Sequence, residues 1–425
     1  MHLQEIEIKN VRSITDFHLR FTGNLAGWHV IIGDNGSGKS SIIRSIALAL
    51  IGPNEAPGLR ADWRDWLSSE AMDGKIHLEL WGDEIDQHTG RSAKLKNRTI
   101  RNEIYFKRNN GTVAFSSNYN SYGLDPARFN WGGGYGWFSV AYGPYRRFAG
   151  GNPEWTKVFY AQPKLGAHLS AFGEDVALTE AIDWLVKLNY QILENRQSGN
   201  VIHHLKRLIN SNDFLPHNAK IDRINSDGVF FKDGNDVEIH VNQLSDGYRS
   251  ILSLTFELIR QLVRVYGEHI VFREFTETSN DDDLKISLPG VVLIDEVDAH
   301  LHPTWQTRIG NWFTRYFPNI QFIVTTHSPL VCRASEIGSI WRLFAPGTEK
   351  KVEEVTGVDR QRLIFGNVLD AYGTEIFGEE VSQSEKGAEL LKELADLNKI
   401  AFKGKLTEAG KKRIEEIKQI VPTAS

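Results

Sequence analysis

The chain has 425 residues, of which 41% are hydrophobic and 24% charged, and its formal net charge is -5. This composition is typical of globular proteins, and the length suggests about two or three domain-sized units. The single cysteine, Cys332, excludes an internal disulfide framework and a cysteine-based zinc site, and it favours a reducing, cytoplasmic location. The acidic balance excludes a surface that is basic throughout. The sequence has neither a secretory signal nor an apolar run long enough for a membrane span, so no membrane partner is expected.

Strands and one helix are predicted for the first third of the chain. Alternating or continuous apolar residues predict strands at Leu3–Ile8, Phe17–Phe21 and Trp28–Ile32. A helix with one apolar face is predicted from Gly38 to the stop signal Gly52-Pro53. Further strands are predicted at Lys75–Trp81, Thr99–Lys107 and Val113–Ser116. The stretch Trp131–Tyr142 is rich in glycine and aromatic residues and predicts no regular element.

Helices alternate with strands in the rest of the sequence. Helical spacing is found in 174–212 and Gly247–Tyr266, with a hairpin between them at Val229–Val241. Residues 273–288 are polar and acidic and predict a solvated loop. The later elements are strands at Val291–Ile294 and Gln321–Thr325, a helix from Thr304, and helices at Glu385–Ile400 and Thr407–Ile420.

A phosphate-binding loop is predicted between the third strand and the first helix. The segment Gly33–Ser40 fits the pattern GxxxxGK[ST] in the strand-loop-helix context that this pattern requires. Its glycines let backbone N–H groups surround phosphate oxygens, and the helix points its positive end at the same charge. Lys39 is expected to reach the β- and γ-phosphates of ATP, and Ser40 to ligate Mg²⁺. The expected nucleotide-binding residues of this loop are Gly33, Asp34, Asn35, Gly36, Ser37, Gly38, Lys39, Ser40 and Ser41.

Two carboxylates follow the apolar run Val291–Ile294. This run predicts a buried strand that presents Asp295 and Glu296 at its end. Asp295 is expected to hold Mg²⁺, directly or through water, and Glu296 to act on the attacking water as general base or orienting group. A strand that merely ends in an acidic turn is the alternative interpretation, and the P-loop earlier in the chain disfavours it.

The segment Leu244-Ser245-Asp246-Gly247-Tyr248 resembles the LSGGQ signature motif of ABC-type ATPases, with Asp246 in place of the first glycine. It starts a predicted helix, where Ser245 and the helix N-terminus can meet a phosphate. In isolation, a capped helix start would be the favoured interpretation of this segment. The strand Phe322–Thr326 leads to His327, which occupies the place of the switch histidine that contacts the γ-phosphate in that family.

The order of P-loop, long insertion, signature motif, acidic pair and histidine resembles the ABC-type ATPases as a whole. In that family the signature motif closes over the ATP held by the P-loop of a second copy. The resemblance therefore implies hydrolysis of ATP to ADP and phosphate by a head-to-head dimer that assembles into a higher homo-oligomer. It assigns catalysis to Lys39, Glu296 and His327, metal binding to Ser40 and Asp295, and trans nucleotide contact to Leu244, Ser245, Asp246 and Gly247.

The resemblance also implies an α/β fold: a P-loop NTPase of ABC-ATPase type with a mixed β-sheet core, an inserted helical lobe and a C-terminal helical hairpin. The core is expected at 1–145 and 290–380, the lobe with the signature motif at 146–289, and a hairpin for partner docking at 381–425. Three potential metal ligands in Asp298–Pro303 keep a zinc or Mn²⁺ site open as an interpretation. That segment resembles the D-loop of the RecF, OLD and SMC-related branch, which implies a place for Asp298 at the dimer seam.

Two further segments, Ala141–Arg147 and Leu169–Gly173 with the later Trp184-Leu185, resemble stretches of the ATPase subunit of Septu and of retron-associated ATPases in prokaryotic anti-phage defence. Those ATPases partner with a separate HNH nuclease, so a nuclease subunit is the expected effector. Nuclease activity within this chain is not expected, because the stretch after His327 lacks the Asp-x-Asp of a TOPRIM domain and the chain has no HNH-like cluster. Gln162 is a candidate for the Q-loop glutamine, and Arg146 for a place near the nucleotide.

The interval from Arg91 to Arg108 is basic, with a single acid, Glu103, and with Tyr105 and Phe106 interleaved. This composition suits phosphate contact with DNA or RNA, although a solvated hairpin explains it as well. Its basic residues are Arg91, Lys94, Lys96, Arg98, Arg101, Lys107 and Arg108. Two other functions stay open: a RecF-like repair ATPase that binds DNA itself, and an ATP-binding scaffold with little turnover.

Overall fold

The computed structural model describes residues 1–88, 99–117, 124–132, 134–146, 154–173, 178, 180–196, 200–211, 214–278, 280–348, 350–367, 385–402 and 407–420. The chain divides into two compact units, Met1–Ile364 and Phe365–Ser425. The strands are β1 (His2–Val11), β2 (Ile14–Arg20), β3 (Gly27–Gly33), β4 (Asp73–Trp81), β5 (Thr99–Asn109), β6 (Thr112–Ser116), β7 (Ser139–Tyr142), β8 (Lys220–Asn225), β9 (Gly228–Lys232), β10 (Glu238–His240), β11 (Gly290–Ile294), β12 (Ile320–Thr326), β13 (Ile340–Leu343) and β14 (Val352–Glu354). The helices are α1 (Lys39–Ile51), α2 (Glu154–Ala161), α3 (Pro163–Gly166), α4 (Glu180–Leu193), α5 (Asn200–Asn210), α6 (Asp246–Tyr266), α7 (Glu268–Val271), α8 (Arg273–Glu277), α9 (Pro303–Gln306), α10 (Ile309–Tyr316), α11 (Gly357–Phe365), α12 (Glu385–Phe402) and α13 (Glu408–Ile420).

The central sheet of the first unit has the strand order β14-β13-β3-β12-β11-β7. Its strands are parallel except β14, which pairs antiparallel with β13 at one edge. All residues of β11 and β12 are buried, as expected for parallel strands covered on both faces. The carboxyl ends of β3, β12 and β11 therefore lie side by side at one edge of the sheet, where the three predicted motif segments begin.

A second, antiparallel sheet has the order β2-β1-β4-β5-β6 and confirms the strands predicted at Leu3–Ile8, at Phe17–Phe21 and from Lys75 to Ser116. The helix α1 is the link between the two sheets. Its Ile42, Ile43 and Ile46 belong to one hydrophobic cluster with Leu78 of β4 and Ile323 of β12. Because α1 begins with the last two residues of the P-loop, this packing fixes the loop against both sheets.

The lobe between β7 and β11 combines helices with a small sheet of order β10-β9-β8. The hairpin predicted at Val229–Val241 is confirmed, with Lys232 opposite Glu238, whereas β8 was not predicted. The helix α6 has 21 residues and confirms the strong amphipathic helix expected there. The helix predicted from Thr304 is divided into α9 and α10, and part of the predicted loop 273–288 forms α8.

The second unit contains α12 and α13, which confirm the two helices predicted at Glu385–Ile400 and Thr407–Ile420. They pack through Leu394, Ile414 and Ile417, and Arg413 donates to both carboxylate oxygens of Glu393 at 2.8 and 2.9 Å. The finer division of the first unit into core and lobe stays a prediction. Within the described ranges, no helix has the length and apolar character needed to cross a membrane.

Candidate nucleotide-binding and hydrolysis site

The loop between β3 and α1 is closed by its own lysine. The Lys39 ammonium donates hydrogen bonds to the carbonyl oxygens of Gly33 at 2.7 Å and Asp34 at 2.9 Å. Gly38 precedes the helix with φ of 98°, a conformation that is strained for any residue with a Cβ. Since the first N–H groups of a helix have no partner within it, the start of α1 provides donors for an anion inside this loop.

Lys39 is surrounded by carboxylates from the neighbouring strand end. Burial lowers the pKa of Lys39, and the charges of Asp295, Glu296, Asp34 and Asp298 oppose that shift. The sheet register explains this neighbourhood, because β12 pairs with β11 on one side and with β3 on the other. The acidic turn after β11 therefore faces the P-loop across the end of β12, as the sequence predicted.

The acidic turn is held by Thr325 of β12. Its hydroxyl donates to Asp295 Oδ1 at 2.6 Å and accepts from the backbone N–H of Glu296 at 2.8 Å. Asp295 is only 1% exposed, whereas Glu296 is half-buried. Glu296 has φ of 47°, in the left-handed region that residues other than glycine seldom adopt. The turn thus places the fixed carboxylate of Asp295 beside the carboxylate of Glu296, whose backbone is strained. Strained backbone of this kind is common at functional sites.

Arg146 is buried directly behind this turn. Its two terminal nitrogens donate to the carbonyl oxygens of Gly143, Asp295, Glu296 and Val297 at 2.9, 2.9, 3.0 and 3.3 Å. Its Nε donates to the hydroxyl of Ser250 in α6 at 3.1 Å. The sequence offered Arg146 for a place near the nucleotide. The structure shows it bound to the backbone that carries Asp295 and Glu296.

The switch-histidine candidate His327 is exposed, and so are Ser245 and Asp246 of the signature motif. His327 follows Thr326, which pairs with Ile32 of β3, so it lies beside the start of the P-loop. Ser245 precedes α6 without capping it through its side chain, and Asp246 forms an ion pair with Arg249. A Cβ at Gly247 would lie 3.1 Å from the carbonyl oxygen of His300, so a side chain there would press on the predicted D-loop. Hydrogen bonds among the described residues do not link Leu244–Gly247 to the P-loop of the same chain.

Two segments of the first unit match known protein families. Residues 1–57 match a family described as "AAA ATPase domain", and residues 162–333 match one described as "AAA domain, putative AbiEii toxin, Type IV TA system". The first contains the P-loop, and the second contains the signature motif, the acidic pair and His327. Both matching families are described as AAA domains, and each match covers less than half of the chain. The mixed α/β architecture, with the P-loop directly after a buried strand, agrees with the P-loop NTPase fold that the sequence predicts.

Relatives of this chain include two proteins with curated names. A stretch of 132 residues is 39% identical to "Retron Ec83 probable ATPase" of Escherichia coli, covering 31% of this chain and 22% of that protein. Over 342 residues the chain is 26% identical to "Septu protein PtuA" of Bacillus mycoides, covering 80% of this chain and 40% of that protein. The chain thus spans less than half the length of these relatives. An SMC head bound to the C-winged helix domain of ScpA is 16% identical, with a TM-score of 0.48 over 85% of this chain and 99% of that one.

Two of the three potential metal ligands in the D-loop candidate form hydrogen bonds within the protein. Asp298 Oδ1 accepts a hydrogen bond from the Thr326 hydroxyl at 2.6 Å. His302 caps α9, with Nδ1 at 3.0 Å from the Thr304 hydroxyl. Within the described ranges, the grouping of three metal-ligating side chains is instead Glu5, Glu7 and His18 on the antiparallel sheet.

A hairpin tip beside the P-loop was missed by the sequence analysis. Ser13, between β1 and β2, lies so close that a Cβ on Gly38 would be 3.6 Å from its hydroxyl. The preceding Arg12 places its guanidinium 5.6 Å from the ring centroid of Trp66, and burial together with the charge of Arg44 lowers its pKa. The sequence shows only the alternating pattern of the strands on either side of this turn. That pattern does not indicate that the hairpin tip lies against the P-loop.

The basic interval Arg91–Arg108 is described only from 99 onward, so Arg91, Lys94, Lys96 and Arg98 lie outside the described residues. Arg101 forms an ion pair with Glu79 at 3.3 Å. Arg108 donates to the carbonyl oxygens of Ala71 at 3.0 Å and Ser68 at 3.1 Å. The Q-loop candidate Gln162 packs against Gly58, where a Cβ would be 2.2 Å from its side-chain oxygen. Arg147, the last residue of the segment Ala141–Arg147, also lies outside the described residues.

Proposed function

We propose that this chain binds ATP together with Mg²⁺ in the loop Gly33–Ser41 and hydrolyses it to ADP and phosphate. One observation supports this above all others: Lys39, Asp295 and Glu296 meet at a single edge of the sheet. The half-buried Glu296 lies in a turn with a strained backbone, and strained backbone conformations cluster at active sites and ligand-binding sites. A scaffold that only binds ATP has no need for a carboxylate held in this way.

The donor set suits a magnesium ion. Mg²⁺ prefers oxygen ligands, uses few protein carboxylates and is completed by phosphate oxygens. Asp295 offers a carboxylate that Thr325 already orients, and Ser40 offers a hydroxyl in the first turn of α1. We assign metal binding to these two residues. When bound, the ion supplies neutralisation of the phosphate charge.

The roles of the protein groups in hydrolysis follow from their positions. Lys39 exchanges the carbonyl oxygens of Gly33 and Asp34 for the β- and γ-phosphates of ATP. Glu296 orients the attacking water or accepts a proton from it, while the water oxygen forms a bond to the γ-phosphorus. The bond from the γ-phosphorus to the bridging oxygen then breaks, and ADP leaves. His327, beside the start of the P-loop, contacts the γ-phosphate.

The site is completed by a second copy of the chain in this proposal. Ser245 and Asp246 are exposed at the start of a long helix and have no hydrogen bond to their own P-loop. A helix start of this kind attracts an anion. Leu244–Gly247 of one copy therefore covers the ATP on Gly33–Ser41 of the other, and pairs of this kind assemble into the higher homo-oligomer.

The role that we propose for the ATPase is to regulate a separate nuclease, of the HNH type, in anti-phage defence. The retron and Septu names of the relatives support this role, as does the resemblance in Ala141–Arg147. Purification of the chain from its native host, followed by mass measurement of the intact complex, tests it. A complex that contains a nuclease subunit is expected, and a mass that corresponds to copies of this chain alone would contradict the proposal.

The hydrolytic role is tested by Glu296→Gln, which keeps the shape of the side chain and removes its basicity. Phosphate release is expected to fall by about 10²- to 10⁴-fold, while ATP binding is retained and ATP-bound dimers accumulate. The exposed Glu336 provides the control Glu336→Gln, which is expected to turn over ATP like the wild type. Equal, negligible turnover in all three proteins would instead favour the scaffold interpretation.

A further inference from the structure

Arg146 connects three parts of the ATPase domain. It follows β7 in the sequence, bonds the hydroxyl of Ser250 in α6, and bonds the backbone of the acidic turn. A guanidinium has five N–H groups, and the hydroxyl and four carbonyl oxygens described above account for all five. None of these acceptors is a carboxylate. Arg146 therefore adds a positive charge next to Asp295 and Glu296 without occupying the oxygens that they need for metal and water.

The charge of Arg146 persists in this environment. The side chain is 5% exposed, and burial lowers the pKa of Arg146 to about 10, with Asp295, Asp298 and Glu296 opposing the shift. The group thus stays protonated at neutral pH. Taking a guanidinium out of water is costly unless its donors are all satisfied, so this buried position requires the five bonds that the structure shows.

The backbone of Glu296 is held from two sides. Thr325 accepts from its N–H at 2.8 Å, and Arg146 donates to its carbonyl oxygen at 3.0 Å. The left-handed conformation of a glutamate is unfavourable, so it persists only while its surroundings impose it. Loss of the hydrogen bond from Arg146 allows the turn to relax. The Glu296 carboxylate then moves, although no residue of the P-loop is changed.

We infer that Arg146 is a positioning residue, which holds the Glu296 carboxylate in place through the backbone of its turn and ties that turn to the helix behind the signature motif. This inference rests on the proposed function. The tie runs through Ser250, which is 2% exposed in α6, a helix whose first residues are Asp246 and Gly247. Ser250 and Arg146 thus join the helix that begins at the signature motif to the backbone of Glu296.

The inference is tested first with Arg146→Lys, which keeps the charge but offers only three N–H donors to the five acceptors that Arg146 bonds. The kcat for ATP is expected to fall about 30-fold, while KM and the affinity for a non-hydrolysable ATP analogue change less than about threefold. Arg207 is the matched control, because it also bonds two backbone carbonyls, those of Phe275 and Thr278, at 2.9 and 3.2 Å. Arg207→Lys is expected to keep the wild-type kcat. A wild-type kcat in Arg146→Lys, or a loss of affinity as large as the loss in kcat, would overturn the inference.

The link to α6 is tested with Ser250→Ala, which removes a single acceptor and so remains informative if Arg146→Lys does not fold. A fall in kcat of about three- to tenfold at unchanged analogue affinity is expected. In the double variant, kcat is expected to equal that of Arg146→Lys alone, because both substitutions break the same link between Arg146 and Ser250. Losses that multiply would show that the two residues act independently. If the wild type itself released no phosphate, the proposed function would fail, whereas an active wild type with an unaffected Arg146→Lys would refute only this inference.

Discussion

At the scale of single residues, Thr325 is the side chain on which the acidic turn depends most directly. Its hydroxyl serves Asp295 as donor and Glu296 as acceptor, and it is completely buried. Thr325→Val keeps the shape and removes both bonds. We expect the free energy of unfolding to fall by about 1–3 kcal/mol, because a buried N–H and a carboxylate oxygen each lose a partner. Urea unfolding measures this loss.

The same variant is expected to lower kcat for ATP at least about tenfold, because Asp295 and Glu296 lose their common anchor. Thr255 provides a matched control, since it is also completely buried and donates to the carbonyl oxygen of Ile251 within α6. Thr255→Val is expected to change phosphate release by less than about twofold, because the helix keeps its backbone bonds. Comparable activity in the two variants would argue against an anchoring role for Thr325.

At the scale of elements, the contact between α4 and α6 contains a buried carboxyl group. Glu180, the first residue of α4, is 3% exposed, and burial, together with the charge of Glu257, raises its pKa from the usual 4.5 to about 7. A raised pKa means that the folded protein prefers the protonated form. The stability that this preference contributes is complete below about pH 4.5 and is lost as the pH rises through about 7, at up to roughly 1.4 kcal/mol per pH unit.

Glu180→Gln is expected to remove this pH dependence, because an amide does not ionise. The Tm of the wild type is expected to fall more between about pH 5 and about pH 8 than the Tm of the variant, as thermal unfolding followed by circular dichroism measures. Glu194, with a side chain that is 49% exposed, gives the control Glu194→Gln, which is expected to follow the wild type at both pH values. Parallel pH profiles of wild type and Glu180→Gln would contradict the assignment.

Elements that follow from a local sequence pattern are predictable from the sequence. Elements that depend on contacts between distant segments of the chain are not. The P-loop and α1 follow from a local pattern, as do β11 and α6. The edge strand β7 was not recognised, because glycines and aromatic residues in Trp131–Tyr142 hide a short apolar run whose strand character comes from pairing with β11. Thr325 and Arg146 belong to the same class, since their roles exist only where β12, α6 and the acidic turn meet.

At the scale of the whole molecule, the proposed pairing of two copies makes each ATP site a composite. The P-loop and the acidic pair come from one copy, and Leu244–Gly247 comes from the other. A closed pair with two-fold symmetry contains two such sites. Two kinds of inactive copy follow from this arrangement: Lys39→Ala damages the P-loop side, and Ser245→Arg damages the signature side. Each homodimer is then expected to lack an intact site.

Mixing the Lys39→Ala and Ser245→Arg copies is expected to restore ATP hydrolysis, because a mixed pair combines the intact P-loop of one with the intact signature motif of the other. Random exchange makes half of the pairs mixed, with one working site of two, so about a quarter of the wild-type phosphate release is expected. The matched control mixes Lys39→Ala with Glu296→Gln. Both defects lie on the P-loop side, so a mixed pair has one in each site and is expected to stay inactive. Restored activity in both mixtures, or in neither, would mean that Leu244–Gly247 does not act on the partner's ATP.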